Sequence, residues 1–77
     1  MFNEFRQSVK ALAKEQHLTY AQMAKTAGIE ESTIKAFMCG ANDSRRTAEN
    51  LADVLGVKIV YQQGTYNVLK EENEQQA

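Results

Sequence analysis

The sequence predicts a small, mainly helical domain of four helices followed by a C-terminal β-strand or β-hairpin. Three observations carry that expectation. Up to Leu55, apolar residues recur every three or four positions, the period of a helix with one buried face. Gly28, Gly40 and Gly56 fall where those patterns stop, in a chain without proline. Beyond Gly56 the stretch "VKIVYQQGTYNVL" turns rich in β-branched and aromatic residues and takes up a period of two. With 77 residues there is room for one modest core. The expected domain is residues 1–69, of which 57–69 form the β segment, and a polar tail covers 70–77.

Each element has a local cause. In the first helix Phe2, Phe5, Val9 and Leu12 form the stripe, widened by Ala13. Thr19 opens "TYAQ", a capping box in which its hydroxyl meets the backbone N–H of Gln22 while the glutamine side chain reaches back. The second helix then runs to about Ala27, and Gly28 accepts the left-handed backbone of a tight turn. A third helix starts near Glu30 or Glu31, carries Ile34, Phe37 and Met38 on one face, and stops at Gly40. "ANDS" reads as a turn with Asp43 or Ser44 as the next N-cap. The fourth helix carries Thr47, Ala48, Leu51, Val54 and Leu55 and ends at Gly56. If Gln63-Gly64 is the turn of a hairpin, Tyr61 faces Tyr66 and Ile59 faces Val68, on one core-facing side with Val57. Val60 and Leu69 fall on the other side. The tail "EENEQQA" is polar and acidic, a composition that favours disorder.

Composition narrows the function classes. One cysteine and one histidine cannot supply the roughly four ligands of a zinc site, and one thiol makes no internal disulfide. Of the usual supports for so small a core, oligomerisation is left. No apolar run reaches the length of a signal h-region or a membrane span, so the expectation is a cytoplasmic protein with Cys39 reduced. Cys39, beside Met38, reads as a packing residue rather than a redox sensor. His17, near the end of the first helix, suits the negative end of the helix dipole. No nucleophile–base pair or phosphate-binding loop is present, so neither an enzyme nor a cofactor is expected.

The stretch "LTYAQMAKTAGIEESTIKAFMCG", Leu18 to Gly40, fits two short helices packed nearly at right angles. The first must offer a bulky apolar residue and then a small one at the crossing. The turn needs a residue tolerant of positive φ and then an apolar plug, and the second helix must bury two residues three apart. Met23, Ala24, Gly28, Ile29, Ile34 and Phe37 fill those places. With "LTYAQMAKTAG", "STIKAFMCG" and "LADVLGV" in this order, the chain from about Phe5 to Val57 resembles the helix-turn-helix family of phage repressors and Cro-like (Xre-like) regulators. It departs from that pattern at Glu30, where serine is frequent, at Met38, where glutamate is frequent, and in loop 41–43, which lacks a proline.

The resemblance implies a repressor-like helix-turn-helix domain that binds double-stranded DNA and represses transcription from a palindromic operator. With Ile34 and Phe37 turned inward, Glu31, Ser32, Lys35 and Ala36 are free to face outward, and they match the family's base-reading positions. Lysine donates to guanine, serine pairs with several bases, glutamate accepts from cytosine N4 and alanine touches a thymine methyl. Tyr20 and Thr33 are placed for phosphates, and Arg45 and Arg46 would add charge contacts. Three residues keep a second reading open at this point. Glu31 equally suits the start of a helix as a favourable charge, and a solvated face is the lesser alternative for the two arginines.

The chain carries nine basic and ten acidic residues, a weak balance for a phosphate binder. Before Lys70 the count is eight basic to seven acidic, and Lys25, Lys35, Arg45 and Arg46 fall around the motif. A dimer doubles that charge. A lone hairpin exposes pairing edges, so Ile59, Val60, Tyr61 and Leu69 are the expected dimerisation residues, with recognition helices about 34 Å apart. Two alternatives remain: an antitoxin-type regulator that also binds a toxin, and a protein-interaction module, such as an antirepressor or adaptor, on the same scaffold.

Overall fold

The computed structural model describes residues 1–70, which form α1 (Asn3–Glu15), α2 (Tyr20–Ala27), α3 (Glu31–Met38), α4 (Arg45–Leu55), β1 (Val57–Gln62) and β2 (Thr65–Lys70). The expected disordered tail lies, from residue 71 onward, outside the described residues, and β2 extends through Lys70. No helix among the described residues is long and apolar enough to cross a membrane. The domain is mainly helical with a C-terminal antiparallel hairpin.

The helix boundaries follow from backbone groups that need partners at each end. Thr19 caps α2 with both halves of the capping box in place, accepting from the Gln22 N–H at 3.1 Å and donating its own N–H to the glutamine side chain at 2.8 Å. Ser44, rather than Asp43, caps α4 by accepting from the Thr47 N–H at 3.2 Å. Three helices end the same way, in a bond reaching five residues back: Leu18 N–H to the Ala13 carbonyl, Ile29 to Ala24 and Ala41 to Ala36, at 2.8, 3.0 and 2.9 Å. The residue before each donor is left-handed. Two of these are glycines, Gly28 at φ 74° and Gly40 at φ 88°, but the first is His17 at φ 58°. His17 is thus the turn residue beyond α1 rather than part of its last turn.

One core gathers the four helices. Phe5, Val9, Met23, Ile34, Phe37, Ala48 and Leu51 are fully buried, one or two from each helix. Phe2, just outside α1, joins them: its ring stacks on Tyr66 (centroids 4.3 Å apart, planes 5° apart) and meets Phe5 and Phe37 edge-on. Each such aromatic contact adds about 0.5–1.5 kcal/mol to the burial itself.

The hairpin turns at Gln63 and Gly64, both with positive φ (52° and 80°), as a type I′ turn requires. It pairs Tyr61 with Tyr66 and Ile59 with Val68, the register read from the sequence. Val57, Ile59, Tyr66 and Val68 pack against the helical core, β2 lying across α1 and β1 along α4. Tyr61 departs from the expectation. It shares that face but lies beyond the rim of the core, tilted against Tyr66 at 4.7 Å and 58% exposed. Alternation puts Val60 and Leu69 on the opposite face, with Val60 half-buried and Leu69 exposed. At the N-terminus the Tyr66 N–H donates to the Met1 carbonyl at 3.0 Å, which ties the start of the chain to its last strand.

Candidate nucleic-acid interface

The turn between α2 and α3 is built on Gly28. A Cβ there would meet nothing within 4 Å, so backbone conformation, not crowding, is what calls for glycine. Ile29 follows as the half-buried plug against the core. Helix α3 then has one wholly buried side, Ile34, Phe37 and Met38, and one open side.

On the open side Ser32 and Lys35 are exposed and Ala36 is half-buried, at positions i, i+3 and i+4. The next place in that series, i+7, is Cys39, which is also exposed. This corrects its reading as a packing residue: Cys39 lies just past the last turn, with its thiol donating to the Ala36 carbonyl at 3.4 Å. Glu31 sits at the edge of the open face, where its carboxylate pairs with the Lys35 ammonium at 3.4 Å. Both side chains are substantially exposed (43% and 63%), so this is a weak, exchangeable pair. The two groups chosen from sequence as separate base readers are therefore partners of each other.

The expected phosphate contacts divide. Tyr20, at the first residue of α2, is half-buried against the core, and Thr33 is half-buried on the flank of α3. Arg45 is exposed but engaged: it pairs with Glu49 at 3.1 Å and lies 5.8 Å from the centre of the Tyr66 ring, which draws it toward the hairpin. Arg46 is exposed and, among the described residues, makes no hydrogen bond or ion pair, as does Lys25 on α2. Of the four cations singled out around the motif, those two are unengaged.

Sequence reasoning missed the residue that holds α3 in place. Arg6 on α1 is almost fully buried, and its Nε donates to the Phe37 carbonyl at 2.6 Å. Its Nη2 reaches the Asn42 carbonyl at 2.8 Å and the Asp43 carboxylate at 2.7 Å, and its guanidinium carbon lies 4.7 Å from the centre of the Phe37 ring. One side chain thus ties the last turn of α3 and the α3–α4 loop to α1. The fork of donors that only arginine offers makes this possible. A signal existed: Arg6 falls within the apolar series Phe2, Phe5, Val9, four residues after Phe2 and three before Val9, where a solvated arginine is out of place.

No family model, curated protein or solved structure matches the chain. What this surface does has to be read from its own side chains. They offer a short helix with a small, polar outward face, fixed at one end by a glycine turn and at the other by a buried arginine. Such a face suits a complementary groove lined with hydrogen-bonding edges, which side chains as short as serine and alanine reach only at close approach.

Proposed function

We propose that the chain is a sequence-specific, helix-turn-helix DNA-binding regulator that acts as a homodimer repressing a palindromic operator. The observation that carries this is α3: one side fully buried, the other presenting Ser32, Lys35 and Ala36 with both ends of the helix pinned. A major groove about 12 Å wide admits a helix of this kind, and small residues let its backbone come close to the base edges. Lys35 exchanges Glu31 for guanine O6 or N7, Ser32 pairs with an adjacent base, and Ala36 meets a thymine methyl. Arg46 and Lys25 supply phosphate contacts, with Arg45 joining once its pair to Glu49 opens. Few free cations per subunit mean modest affinity, so two linked copies are needed to hold an operator.

A second reading has its own support. The Glu31–Lys35 pair leaves the open face of α3 without net charge, which suits a protein partner such as a toxin or a repressor to be neutralised. Selection from a random duplex pool, followed by titration of the winning sequence at low and at physiological salt, separates the two. A DNA regulator enriches a palindrome with half-sites about one helical turn apart and loses affinity steeply with salt. No enrichment, with only weak binding that vanishes at physiological salt, refutes the proposal in favour of the protein-binding module.

A further inference from the structure

The two adjacent arginines at the start of α4 face different ways. Helix α4 is a ridge between two grooves, one of about 320 Å³ against β1 and one of about 240 Å³ against α2. Glu49 and Ala52 line the first, Asn50 and Val54 the second, and Asp53 stands between and lines both. Arg45 precedes Glu49 by four residues and Ala52 by seven, which sets it in the row that looks toward the hairpin. Arg46 precedes Asn50 by four and Val54 by eight, so its row looks toward α2.

Arg45 is also held on its side of the ridge. Its Nε donates to Glu49 at 3.1 Å, and its guanidinium carbon lies 5.8 Å from the centre of the Tyr66 ring, within reach of the ring's negative face. Tyr66 cannot follow the arginine, because its own ring is stacked on the buried Phe2 and tilted against Tyr61. The ring is the fixed member and the guanidinium the movable one. Arg46 has neither hold among the described residues. We propose that Glu49 and Tyr66 are positioning residues that withhold Arg45 from DNA: together they park its guanidinium against the hairpin, and only its release adds a phosphate contact to those of Arg46 and Lys25. This deepens the DNA reading above and rests on it.

The size of the effect follows from how open the hold is to water. The Arg45 and Glu49 side chains are 63% and 54% exposed, so the pair opens readily and biases the arginine without locking it. A bias of that kind is worth about threefold in affinity per subunit. One added phosphate contact steepens the dependence of log K on log salt by about 0.9. Because Tyr66 belongs to β2, a change that shifts the hairpin alters DNA affinity through Arg45 without touching any side chain of α3.

The test is a mutant cycle on the full chain, titrated across a range of salt against the duplex enriched from the random pool. Glu49→Gln should tighten binding about threefold per subunit at low salt and steepen the salt slope by about 0.9, and in an Arg45→Ala background it should do neither. Removing a carboxylate also raises the net charge, but a gain of that origin survives the loss of Arg45. A gain that persists in the Arg45→Ala chain therefore overturns the inference, and so does the absence of any gain. Tyr66→Leu should likewise tighten binding, whereas Tyr66→Phe, which keeps the ring, should bind as the parent does. A Tyr66 that served only the fold would instead weaken binding when replaced by leucine, which overturns its part in the hold. Should Tyr66→Leu fail to fold, the exposed Glu49 still decides. Duplex binding without an Arg45-dependent gain would sink this inference alone, and a parent chain and variants that bind no duplex would sink the DNA reading and the hold with it.

Discussion

Replacing Arg6 with methionine keeps an apolar stem beside Phe2 and Phe37 and removes every polar contact of the guanidinium. Three of its hydrogen bonds are 2.8 Å or shorter, to the Phe37 and Asn42 carbonyls and the Asp43 carboxylate. Bonds to a charged group are each worth about 1.5–3 kcal/mol when their partners stay buried. Here the partners do not all stay buried. Asp43 is 58% exposed and returns to water, and the Phe37 carbonyl keeps the Gly40 N–H at 3.1 Å. The net loss is therefore well below the sum, about 2–3 kcal/mol. For a chain of this size that lowers the melting temperature by about 10–20 °C. Asp43→Ala, which removes only the exposed partner, should cost about 1 kcal/mol or less. Arg6→Lys should fall between them, because one ammonium cannot span three acceptors. Urea unfolding followed by far-UV circular dichroism measures all three. If Arg6→Met costs less than about 0.5 kcal/mol, or no more than Asp43→Ala, the arginine is a surface residue in energetic terms and the account of how α3 is fixed fails.

Three further outcomes are expected. Lys35→Ala should cost about 1–3 kcal/mol on the selected operator and relax preference at one base pair; Glu31→Gln should instead tighten binding to all duplexes in a fluorescence-anisotropy titration, and a loss confined to one base pair would assign Glu31 to that base. His17→Gly should raise stability in a denaturant titration by about 0.5–1 kcal/mol, since glycine adopts the left-handed backbone at φ 58° without a side-chain penalty; no gain would mean that the histidine ring has a compensating role there. Truncation after Lys70 removes Glu71, Glu72 and Glu74 and takes the formal charge from −1 to +2, so DNA affinity should rise at low salt and converge with that of the full chain as salt screens the difference; equal affinity at low salt would show that the tail charges act on nothing near the DNA surface.

Local chemistry was readable in advance, and environment was not. Thr19, Gln22 and Gly28 act through backbone groups within a few residues, so their spacing alone fixes what they do. The hairpin register is similar, because the Gln63-Gly64 turn and an alternation of period two leave one self-consistent pairing. Tyr61 shows the limit. Alternation states which face a side chain takes, and only the extent of the core decides whether anything lies beneath it. Cys39 escaped for a related reason: one position beyond α3 it still continues the helical series of Ser32, Lys35 and Ala36, although its residue type pointed to the interior. Arg6 was missed because its value lies in carbonyls 31 and 36 residues away along the chain, which no local pattern records. The Glu31–Lys35 pair, by contrast, follows from i,i+4 spacing, which weighing Glu31 only against a base or the helix dipole passes over.

The contact between the two ends of the described chain has a consequence for the order of events during synthesis. Phe2 is made 64 residues ahead of Tyr66 (66 − 2), to which both the ring it stacks on and the N–H that seals the Met1 carbonyl belong. At about 5–20 residues per second, α1 waits several seconds before its anchor exists. In that interval Phe2 and Phe5 lack part of their cover, and the nascent helices have only one another to hide them. The core therefore closes after the last strand has emerged from the ribosome, and a rare codon or a pause between α4 and the hairpin would lengthen the exposure of those rings without changing the finished protein.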